Sequence, residues 1–491
     1  MRALAIDQGT SATKAVVVEV ADRGMTLLAD VDVEVPGLRY DGDAVEVDAE
    51  GIWGSIVEAG RQALDAASGD DDSVACVGIG NQGETVLAWQ RSTGRPLTPA
   101  MVWQDRRAVT VTERLHPWGQ RLHQITGLPL DPYFAAAKFA WLRENLLDDQ
   151  TRNDPDVVVT TLDTWVLHRA TGAFVTDAST ASRTQLLDLD STRWSSEACA
   201  AFGVDIAQLP EVVACDTSVG KTQAFGPSLP VTGIVVDQQA ALFAQGCLTA
   251  GSSKCTYGTG AFLLANLGPT PHRSHNGLAT SIAWQTSDDA VDYCADGQVY
   301  TVGAAVSWLR RIGLIDHPSD LDRLGGAVDD DGGTTFVPSL AGVGAPRWVP
   351  EARGSFCGLS LSTEREHMVR AVVQGIAAQV TMLARAVEDD LGAPLTALRV
   401  DGGLTQSALL MQLQADLLGI PVEVYPHACA TALGVAGFAL RGHAGAGADA
   451  AVISGWTPQR VFEPAMPQAT ADELYGRWLI ALDATIAEAH A

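Results

Sequence analysis

Apolar residues in this chain form short runs that end abruptly in polar residues, which predicts buried strands followed by turns or helices. Between these runs lie longer stretches with apolar residues three or four positions apart, the spacing of helices that bury one face. The predicted strands are 4–7, 15–20, 74–79, 86–89, 157–160, 231–236, 261–267, 398–401 and 422–425. The predicted helices are 52–67, 366–390 and 408–418, the last of them after a polar cap region at 405–407.

Strands that alternate with helices predict an α/β fold. A chain of 491 residues exceeds one core of ordinary size, so two domains are expected. The composition changes at 246–253, and we place the boundary there, giving domains 1–246 and 247–491. The Ala- and Gly-rich stretch 442–451 is predicted to be a loop.

Two of the apolar runs end in the same polar pair. Leu4-Ala5-Ile6 leads into Asp7-Gln8-Gly9-Thr10, and Ile234-Val235-Val236 leads into Asp237-Gln238-Gln239, with Tyr257-Gly258-Thr259-Gly260 downstream. A carboxylate and a glycine-hydroxyl turn at a strand end suit Mg²⁺ and phosphate. Two such places predict two related lobes that face one nucleotide.

The charge and the cysteines narrow the function classes. A net charge of −27 argues against nucleic acid or an anionic membrane as a partner, because both require basic surface. The eight cysteines are scattered without a Cys-x-x-Cys pair, which indicates neither a zinc site nor a disulfide framework. The first residues lead directly into a strand, and no apolar stretch approaches about 20 residues, so neither a signal peptide nor a membrane span is expected. We therefore expect a cytoplasmic protein.

Two nucleotide-binding motifs are incomplete. Gly78-Ile79-Gly80-Asn81-Gln82-Gly83 has dinucleotide-binding spacing, with Asp105 downstream as a ribose ligand, but a strand at 86–89 follows where a helix is required. Residues 216–222 end like a phosphate-binding loop, but Cys215 stands where its first glycine belongs, which favours a surface loop.

Taken together, the motifs resemble the FGGY carbohydrate kinases, and within that family the glycerol kinases. The similar segments follow one another in order along nearly the whole chain: Asp7 to Lys14, Trp103 to Arg107, Asp237 to Phe243, Thr256 to Gly260, Gly342 to Pro346, Ala352 to Gly354 and Arg399 to Gly403. The resemblance implies an actin-like ATPase fold of two ribonuclease-H-like lobes, with the active site in a central cleft. It also implies ATP and Mg²⁺ as cofactors, and a homodimer or homotetramer as the assembly.

The resemblance assigns roles to individual residues. Asp237 is the expected catalytic base, which accepts the proton of the attacked hydroxyl. Asp7 would hold Mg²⁺ through water. The residues expected to contact ATP are Thr10, Ser11, Ala12 and Lys14 at the first phosphate turn, Thr259 at the second, and Gly303, Ser307, Gly403 and Ser407 around the nucleoside. Ser307 and Ser407 stand where glycerol kinases usually carry Gln and Asn.

The acceptor pocket implied by the resemblance combines polar groups with aromatic faces, which suits a small polyol or sugar. Its expected residues are Gly83, Glu84, Trp103, Tyr133, Asp237, Gln238 and Phe262. Gly83 departs from glycerol kinases, which have an arginine there. Losing that guanidinium removes donors and opens volume, so a longer polyol or a ketopentose of the erythritol, threitol or xylulose type is an alternative acceptor.

Two other function classes share parts of this pattern. An actin-like chaperone or filament protein would have the lobes and the phosphate turns, but it has no need of Glu84, Trp103 and Tyr133. A non-catalytic relative would have no need of Asp237. The stretch 225–230 contains no arginine, and we therefore predict no feedback by fructose 1,6-bisphosphate, which in bacterial glycerol kinases binds an arginine-containing loop here.

Overall fold

The structure is a computed structural model that describes residues 1–21, 24–68 and 73–490. Its first half combines groups of strands with groups of helices, in agreement with the predicted α/β class. The strands are β1 (Arg2–Gln8), β2 (Ala12–Ala21), β3 (Gly24–Glu34), β4 (Arg39–Asp41), β5 (Ala44–Val47), β6 (Cys76–Asn81), β7 (Val86–Gln90), β8 (Arg95–Pro96), β9 (Ala100–Met101), β10 (Val157–Thr161), β11 (Val175–Asp177), β12 (Leu187–Asp188), β13 (Arg193–Trp194), β14 (Glu211–Val213), β15 (Lys221–Thr222) and β16 (Leu229–Val236).

The helices of the first half follow the same order. They are α1 (Ala49–Ala66), α2 (Val109–Arg114), α3 (Gly119–Thr126), α4 (Ala135–Asn145), α5 (Asp149–Arg152), α6 (Leu162–Thr171), α7 (Ala178–Ser182), α8 (Ser196–Phe202) and α9 (Asp237–Ala244), with 3-10 turns at His116–Trp118 and Ile206–Gln208. Helix α1 begins at the cap Asp48, whose carboxylate accepts a hydrogen bond from Gly51 N.

The first sheet brings the two Asp-Gln motifs to one edge. Its strand order is β15-β16-β6-β1-β2-β3, and the inner strands β16, β6 and β1 are parallel. Asp7 and Val235 both pair with Gly80. The carboxyl ends of the three strands are therefore level, so that Asp7 and Asp237 lie at one edge of the sheet, where ligands of α/β proteins bind.

The second half repeats this plan. Its strands are β17 (Ser253–Tyr257), β18 (Ala261–Gly268), β19 (Ala279–Gln285), β20 (Val291–Val299), β21 (Thr335–Val337), β22 (Ser355–Cys357), β23 (Leu398–Asp401), β24 (Val422–Val424) and β25 (Arg460–Phe462). Its helices are α10 (Gly303–Arg311), α11 (Asp320–Gly325), α12 (Arg365–Leu391), α13 (Ala408–Leu418), α14 (Ala430–Ala444), α15 (Ala450–Ser454) and α16 (Gln468–Ala489), with a 3-10 turn at Gly403–Gln406.

The two main sheets have the same internal arrangement. In the second sheet the order is β19-β20-β18-β17-β23-β24-β25, and β17, β23 and β24 are parallel to one another. Strands β18 and β20 continue the sheet as antiparallel neighbours, as β2 and β3 do in the first sheet. Each half thus joins three parallel strands to a set of antiparallel strands, which agrees with the prediction of two related lobes.

Helix α14 explains the Gly-x-Gly motif at 78–80. It packs across β16, β6 and β1 of the first sheet. A Cβ atom on Gly78 would lie 2.6 Å from the Val435 carbonyl oxygen, and one on Gly80 would lie 2.5 Å from Val435 Cγ2. These glycines let the helix approach the sheet, and strand β7 follows them, as predicted from the sequence.

Two predictions about loops need correction. The stretch 442–451 is not a loop throughout, because α14 continues to Ala444 and α15 begins at Ala450. The loop predicted at 216–222 is partly interior: Asp216 is buried and pairs with Arg441 at 3.1 Å. In both places the local composition is that of a loop, but tertiary packing orders the residues.

Within the described residues, no helix has both the length and the apolar character needed to cross a membrane.

Candidate active site

A cavity of about 250 Å³ lies between the two halves of the chain, at the edge where β1 and β16 end. Both halves line it, since Thr10 and Ser11 come from the first and Thr259 and Gly260 from the second. All the residues predicted to contact the acceptor line this cavity: Gly83, Glu84, Trp103, Tyr133, Asp237, Gln238 and Phe262. A larger hollow of about 1160 Å³, lined mainly by residues 190–194 and 289–293, contains none of them.

Asp237 is placed to act as a base. It is the first residue of α9, directly after the buried strand β16, and Gln238 N donates to its Oδ1 at 2.7 Å. Burial raises the pKa of Asp237 to about 6, and the charge of Glu84 adds to the rise. A carboxylate with a pKa near neutrality is a better proton acceptor than an ordinary aspartate and is still ionised at pH 7.

Asp7 lies near Asp237 and has few means of balancing its charge. Burial and, next, the negative charge of Asp237 raise the pKa of Asp7 to about 7, although Lys14 opposes the rise. Two neighbouring, partly buried carboxylates repel one another unless a cation lies between them. Carboxylate oxygens are also the ligands that Mg²⁺ prefers, so the residues present fit a magnesium ion.

The first phosphate turn is tied to the acceptor pocket by one hydroxyl group. Thr10 Oγ1 donates to Gln82 Oε1 at 3.0 Å and accepts from Trp103 Nε1 at 2.9 Å. The turn itself is closed by a hydrogen bond from Gly9 N to Ala12 O at 3.0 Å. The Lys14 ammonium group is paired with Asp30 and Asp32, each at 2.8 Å, so its charge is already balanced in part.

The second phosphate turn is fixed by the start of α10. Gly258 N donates to Gly260 O at 2.9 Å, and Gly303 N donates to Gly258 O at 3.1 Å. A Cβ atom on Gly303 would lie 2.6 Å from Gly258 O, so a larger residue would displace the turn. The structure therefore packs Gly303 against Gly258 and Thr259 of this turn.

The predicted nucleoside residues are less closely grouped. Gly403 and Ser407 line a cavity of about 530 Å³ together with Asp322 and Arg323. The Ser407 hydroxyl donates to Asp322 and accepts from Leu410 N at 3.2 Å, which caps α13. Ser307 is exposed on α10, outside the residues that line this cavity.

Three aromatic rings form one wall of the acceptor cavity. The ring centroid of Trp103 lies 5.9 Å from that of Tyr133 and 6.0 Å from that of Phe262, both in edge-to-face contact. Such pairs hold one another rigidly and offer apolar surface to a carbon skeleton. Burial raises the pKa of Tyr133 well above its usual value, so its phenol stays a neutral hydrogen-bond donor.

Two charged residues of this cavity do not follow from the sequence pattern. Arg183 Nε donates to Glu84 Oε1 at 2.6 Å, and Arg183 Nη1 lies 2.7 Å from Asp296 Oδ2. Arg183 follows the short helix α7, and Asp296 lies within β20. Neither stands in a motif or at a fixed distance from Glu84, so the linear sequence gives no signal for them. Tyr40 and Gln104 also line the cavity without having been predicted.

Position 83 carries no guanidinium group, but another position supplies one to the cavity. Gly83 lines the cavity, but so does Arg183, whose guanidinium group contacts the neighbouring Glu84. The volume beside Gly83 is also limited, because a Cβ atom there would lie 3.1 Å from Val236 Cγ2.

Known proteins match this chain over almost its full length. Residues 2–244 match the N-terminal domain, and residues 253–443 the C-terminal domain, of the FGGY family of carbohydrate kinases. Glycerol kinase of Thermus brockianus is 41% identical over 98% of this chain and 97% of that protein. Glycerol kinase of Myxococcus xanthus (strain DK1622) is 39% identical over 98% of each.

Solved structures agree. The structure of Plasmodium falciparum glycerol kinase with ADP superposes with a TM-score of 0.90 at 30% identity, covering 99% of this chain and 98% of that one. A xylulose kinase from Lactobacillus acidophilus superposes with a TM-score of 0.88 at 21% identity, covering 98% of each chain, a likeness that shows the fold alone.

Proposed function

This chain belongs to the FGGY family of carbohydrate kinases and has its actin-like ATPase fold, and we propose that it phosphorylates a primary hydroxyl of a small polyol, with glycerol as the favoured acceptor. It is an ATP-dependent phosphotransferase. The observation that carries the proposal is that Asp237, the aromatic wall and both phosphate turns line the same cavity.

The reaction follows from this placement. Asp237 takes the proton of the acceptor hydroxyl as that oxygen bonds to the γ-phosphorus and the bond from the γ-phosphorus to the bridging oxygen of ADP breaks. Glu84, Tyr133 and Gln238 orient the acceptor hydroxyls, and the aromatic wall keeps water from the acceptor position. The turns at Thr10 and Thr259 hold phosphate oxygens with backbone N–H groups and hydroxyls.

Asp7, with Asp237 nearby, would hold Mg²⁺ at the phosphates. When bound, the ion neutralises charge on the phosphate oxygens. Ser11, Ala12 and Lys14 would complete the first turn. We place the nucleoside beside Gly303, Gly403 and Ser407, with Ser307 at its edge. The hydroxyl of Ser407 would have to leave Asp322 to contact a nucleoside.

Glycerol is favoured over a longer polyol or a ketopentose for two reasons. The relatives at about 40% identity are named glycerol kinases, whereas the xylulose kinase structures are 20–24% identical and match in fold. The cavity also contains a guanidinium group and has little free volume beside Gly83. An ATP-binding chaperone or filament protein is not favoured, because such a protein has no use for this acceptor wall.

The test is ADP release from Mg·ATP with glycerol, erythritol, threitol, xylitol, xylulose and ribulose. We expect glycerol to give the highest kcat/KM, and background hydrolysis to be low without an acceptor. Turnover confined to acceptors of four or five carbons would contradict the choice of glycerol, and acceptor-independent hydrolysis would contradict the kinase. A cytoplasmic location and a homodimer or homotetramer remain predictions, which fractionation and sedimentation would test.

A further inference from the structure

Three charged side chains form a buried group at the wall of the acceptor cavity. Arg183 lies between Glu84 and Asp296, with Nε 2.6 Å from Glu84 Oε1 and Nη1 2.7 Å from Asp296 Oδ2. The three residues are 4%, 4% and 7% exposed. We call them the acceptor triad.

The backbone of Glu84 needs such support. Its φ of +56° places a non-glycine residue in the left-handed region, directly after Gly83. This conformation costs free energy and persists only where neighbouring groups hold it. Arg183 holds the side chain, and Lys138 Nζ donates to the Glu84 carbonyl oxygen at 3.3 Å. The direction of the Glu84 carboxylate therefore depends on Arg183.

The triad joins the two halves of the molecule. Glu84 and Arg183 belong to the first half, whereas Asp296 lies in β20 of the second sheet. The contact between Arg183 and Asp296 thus crosses the cleft at the cavity itself. Burial lowers the pKa of the Arg183 guanidinium, but the charges of Asp296 and Glu84 more than offset this effect and raise the pKa above its usual value. The guanidinium therefore remains charged between its two partners.

The triad is not optimised as a stabilising ion pair. Asp296 Oδ1 is buried and has no hydrogen-bond partner among the described residues. Charges buried in this way stabilise a fold little, because desolvation offsets their attraction. Unsatisfied polar groups in a native structure call for a functional explanation.

We propose that Arg183 is a positioning residue that aims the Glu84 carboxylate at the acceptor, and that Asp296 anchors it from the opposite half of the cleft. The proposal rests on the proposed function, since it concerns the acceptor pocket of that reaction. It makes acceptor recognition depend on the approach of the two halves: Glu84 is correctly oriented when Asp296 is in place. ATP contacts, which lie at the phosphate turns, do not depend on the triad.

The test compares Arg183→Met, Arg183→Lys and Asp296→Asn by steady-state kinetics with the best acceptor of the panel. We expect Arg183→Met to raise the acceptor KM by about 10- to 100-fold, because a charged hydrogen bond to the acceptor-binding carboxylate is lost. The KM for ATP should change by less than about threefold, well within one decade. Arg183→Lys should raise the acceptor KM less than Arg183→Met does. Its ammonium group keeps the positive charge but lacks the planar, two-pronged donor geometry of the guanidinium group. Asp296→Asn should have a smaller effect than Arg183→Met.

Arg441 offers a matched control. It also carries a guanidinium group across the two halves, 3.1 Å from the buried Asp216, but it lies outside the acceptor cavity. Arg441→Met should lower the unfolding temperature and leave the acceptor KM unchanged. An acceptor KM unaffected by Arg183→Met, or an equal rise for acceptor and ATP, would overturn the proposal. The same rise in Arg441→Met would also overturn it.

Calorimetry separates this proposal from the proposed function. Acceptor affinity is measured with Mg²⁺ and a non-hydrolysable ATP analogue, for wild type and for Arg183→Met. If the wild type turns over and Arg183→Met binds the acceptor with unchanged affinity, only the proposed role of the triad is refuted. Binding without turnover in the wild type would refute the kinase, and a weaker affinity in the variant would still support the triad. Failure of every acceptor to bind the wild type would refute both.

Discussion

Replacing Asp237 with Asn should abolish most activity and at the same time stabilise the protein. The change keeps the size of the side chain and removes its charge and its basicity. General-base catalysis contributes about 100- to 10,000-fold, so we expect kcat to fall by that factor. ATP binding should persist, because Asp237 would contact the acceptor and not the nucleotide base.

The gain in stability follows from the pKa of Asp237. Burial raises this pKa from 3.8 to about 6, with a further contribution from Glu84. About two units correspond to about 3 kcal/mol of unfavourable free energy for the charged, folded state. The folded pKa lies above the unfolded one, so the folded protein binds more protons between these values. Wild-type stability therefore declines as pH rises from about 4 to about 6, and the deficit persists above that range.

The variant lacks this deficit. Its unfolding temperature should match the wild type near pH 4 and exceed it by a few degrees at pH 8. Calorimetric melts without nucleotide or Mg²⁺ measure the difference, because a bound cation would relieve the same charge. Initial rates of ADP release measure the activity.

Asp163→Asn is the matched control. Asp163 is also buried with its pKa raised to about 6, and Thr176 Oγ1 donates to it at 2.6 Å, but it does not line the active-site cavity. We expect a gain in stability at pH 8 and unchanged turnover. A fully active Asp237→Asn would refute the base assignment, and an Asp237→Asn less stable than wild type at pH 8 would refute the argument from burial.

Four further predictions follow from the same structure. Gly83→Arg should raise the glycerol KM by about one decade or more in steady-state kinetics, because a Cβ atom there would already lie 3.1 Å from Val236 Cγ2 and overpacking costs about 1–3 kcal/mol; a lower KM would show that the pocket needs a second guanidinium. Mg²⁺ affinity, measured by calorimetry, should increase as pH rises through about 7, because Asp7 must lose its proton to bind a cation; a pH-independent affinity would argue against Asp7 as a ligand. Gly434→Ala should destabilise the protein by about 1–3 kcal/mol or more in denaturant unfolding, since its Cβ would lie 1.9 Å from the Ala240 carbonyl oxygen; a neutral result would contradict the packing of α14 on α9. Fructose 1,6-bisphosphate should leave the initial rate unchanged, because the stretch 225–230 contains no arginine; tight binding would contradict this.

The secondary structure around the site could be predicted because it depends on local patterns. Strand β23 and helix α13 have the predicted bounds, and the ends of β1, β6 and β16 differ from the prediction by at most two residues. Strands β1, β6 and β16 are mostly buried runs, whereas β23 and α13 carry buried residues at strand and helix spacing, so a local pattern defines each element. The prediction of a loop at 442–451 was wrong for the opposite reason. The Ala and Gly residues there show no regular hydrophobic spacing, and packing against the first sheet decides where α14 ends.

The residues predicted to contact the acceptor line one cavity, and the resemblance, which extends along nearly the whole chain, assigned them to it. Trp103 and Asp237 are far apart in sequence, but the resemblance assigns both to one pocket, and both line the cavity. The sequence predicts the cap region at 405–407, and Ser407 caps α13; its contact with Asp322 could not be predicted, since that contact depends on how α11 packs beside α13.

The sequence by itself determined the two-lobed α/β plan and placed Asp7, Asp237 and the turns at Thr10 and Thr259 directly after strands, because each feature depends on a short run of residues. The tertiary structure decided the charge balance of the acceptor pocket. Arg183 and Asp296 are separated by more than a hundred residues and become partners when β20 meets the end of α7 across the cleft. The sequence shows that position 83 lacks a guanidinium group, but only the fold shows that Arg183 lies beside Glu84. Ion pairs depend on distance in space, and their residues need not recur at any regular spacing along the chain.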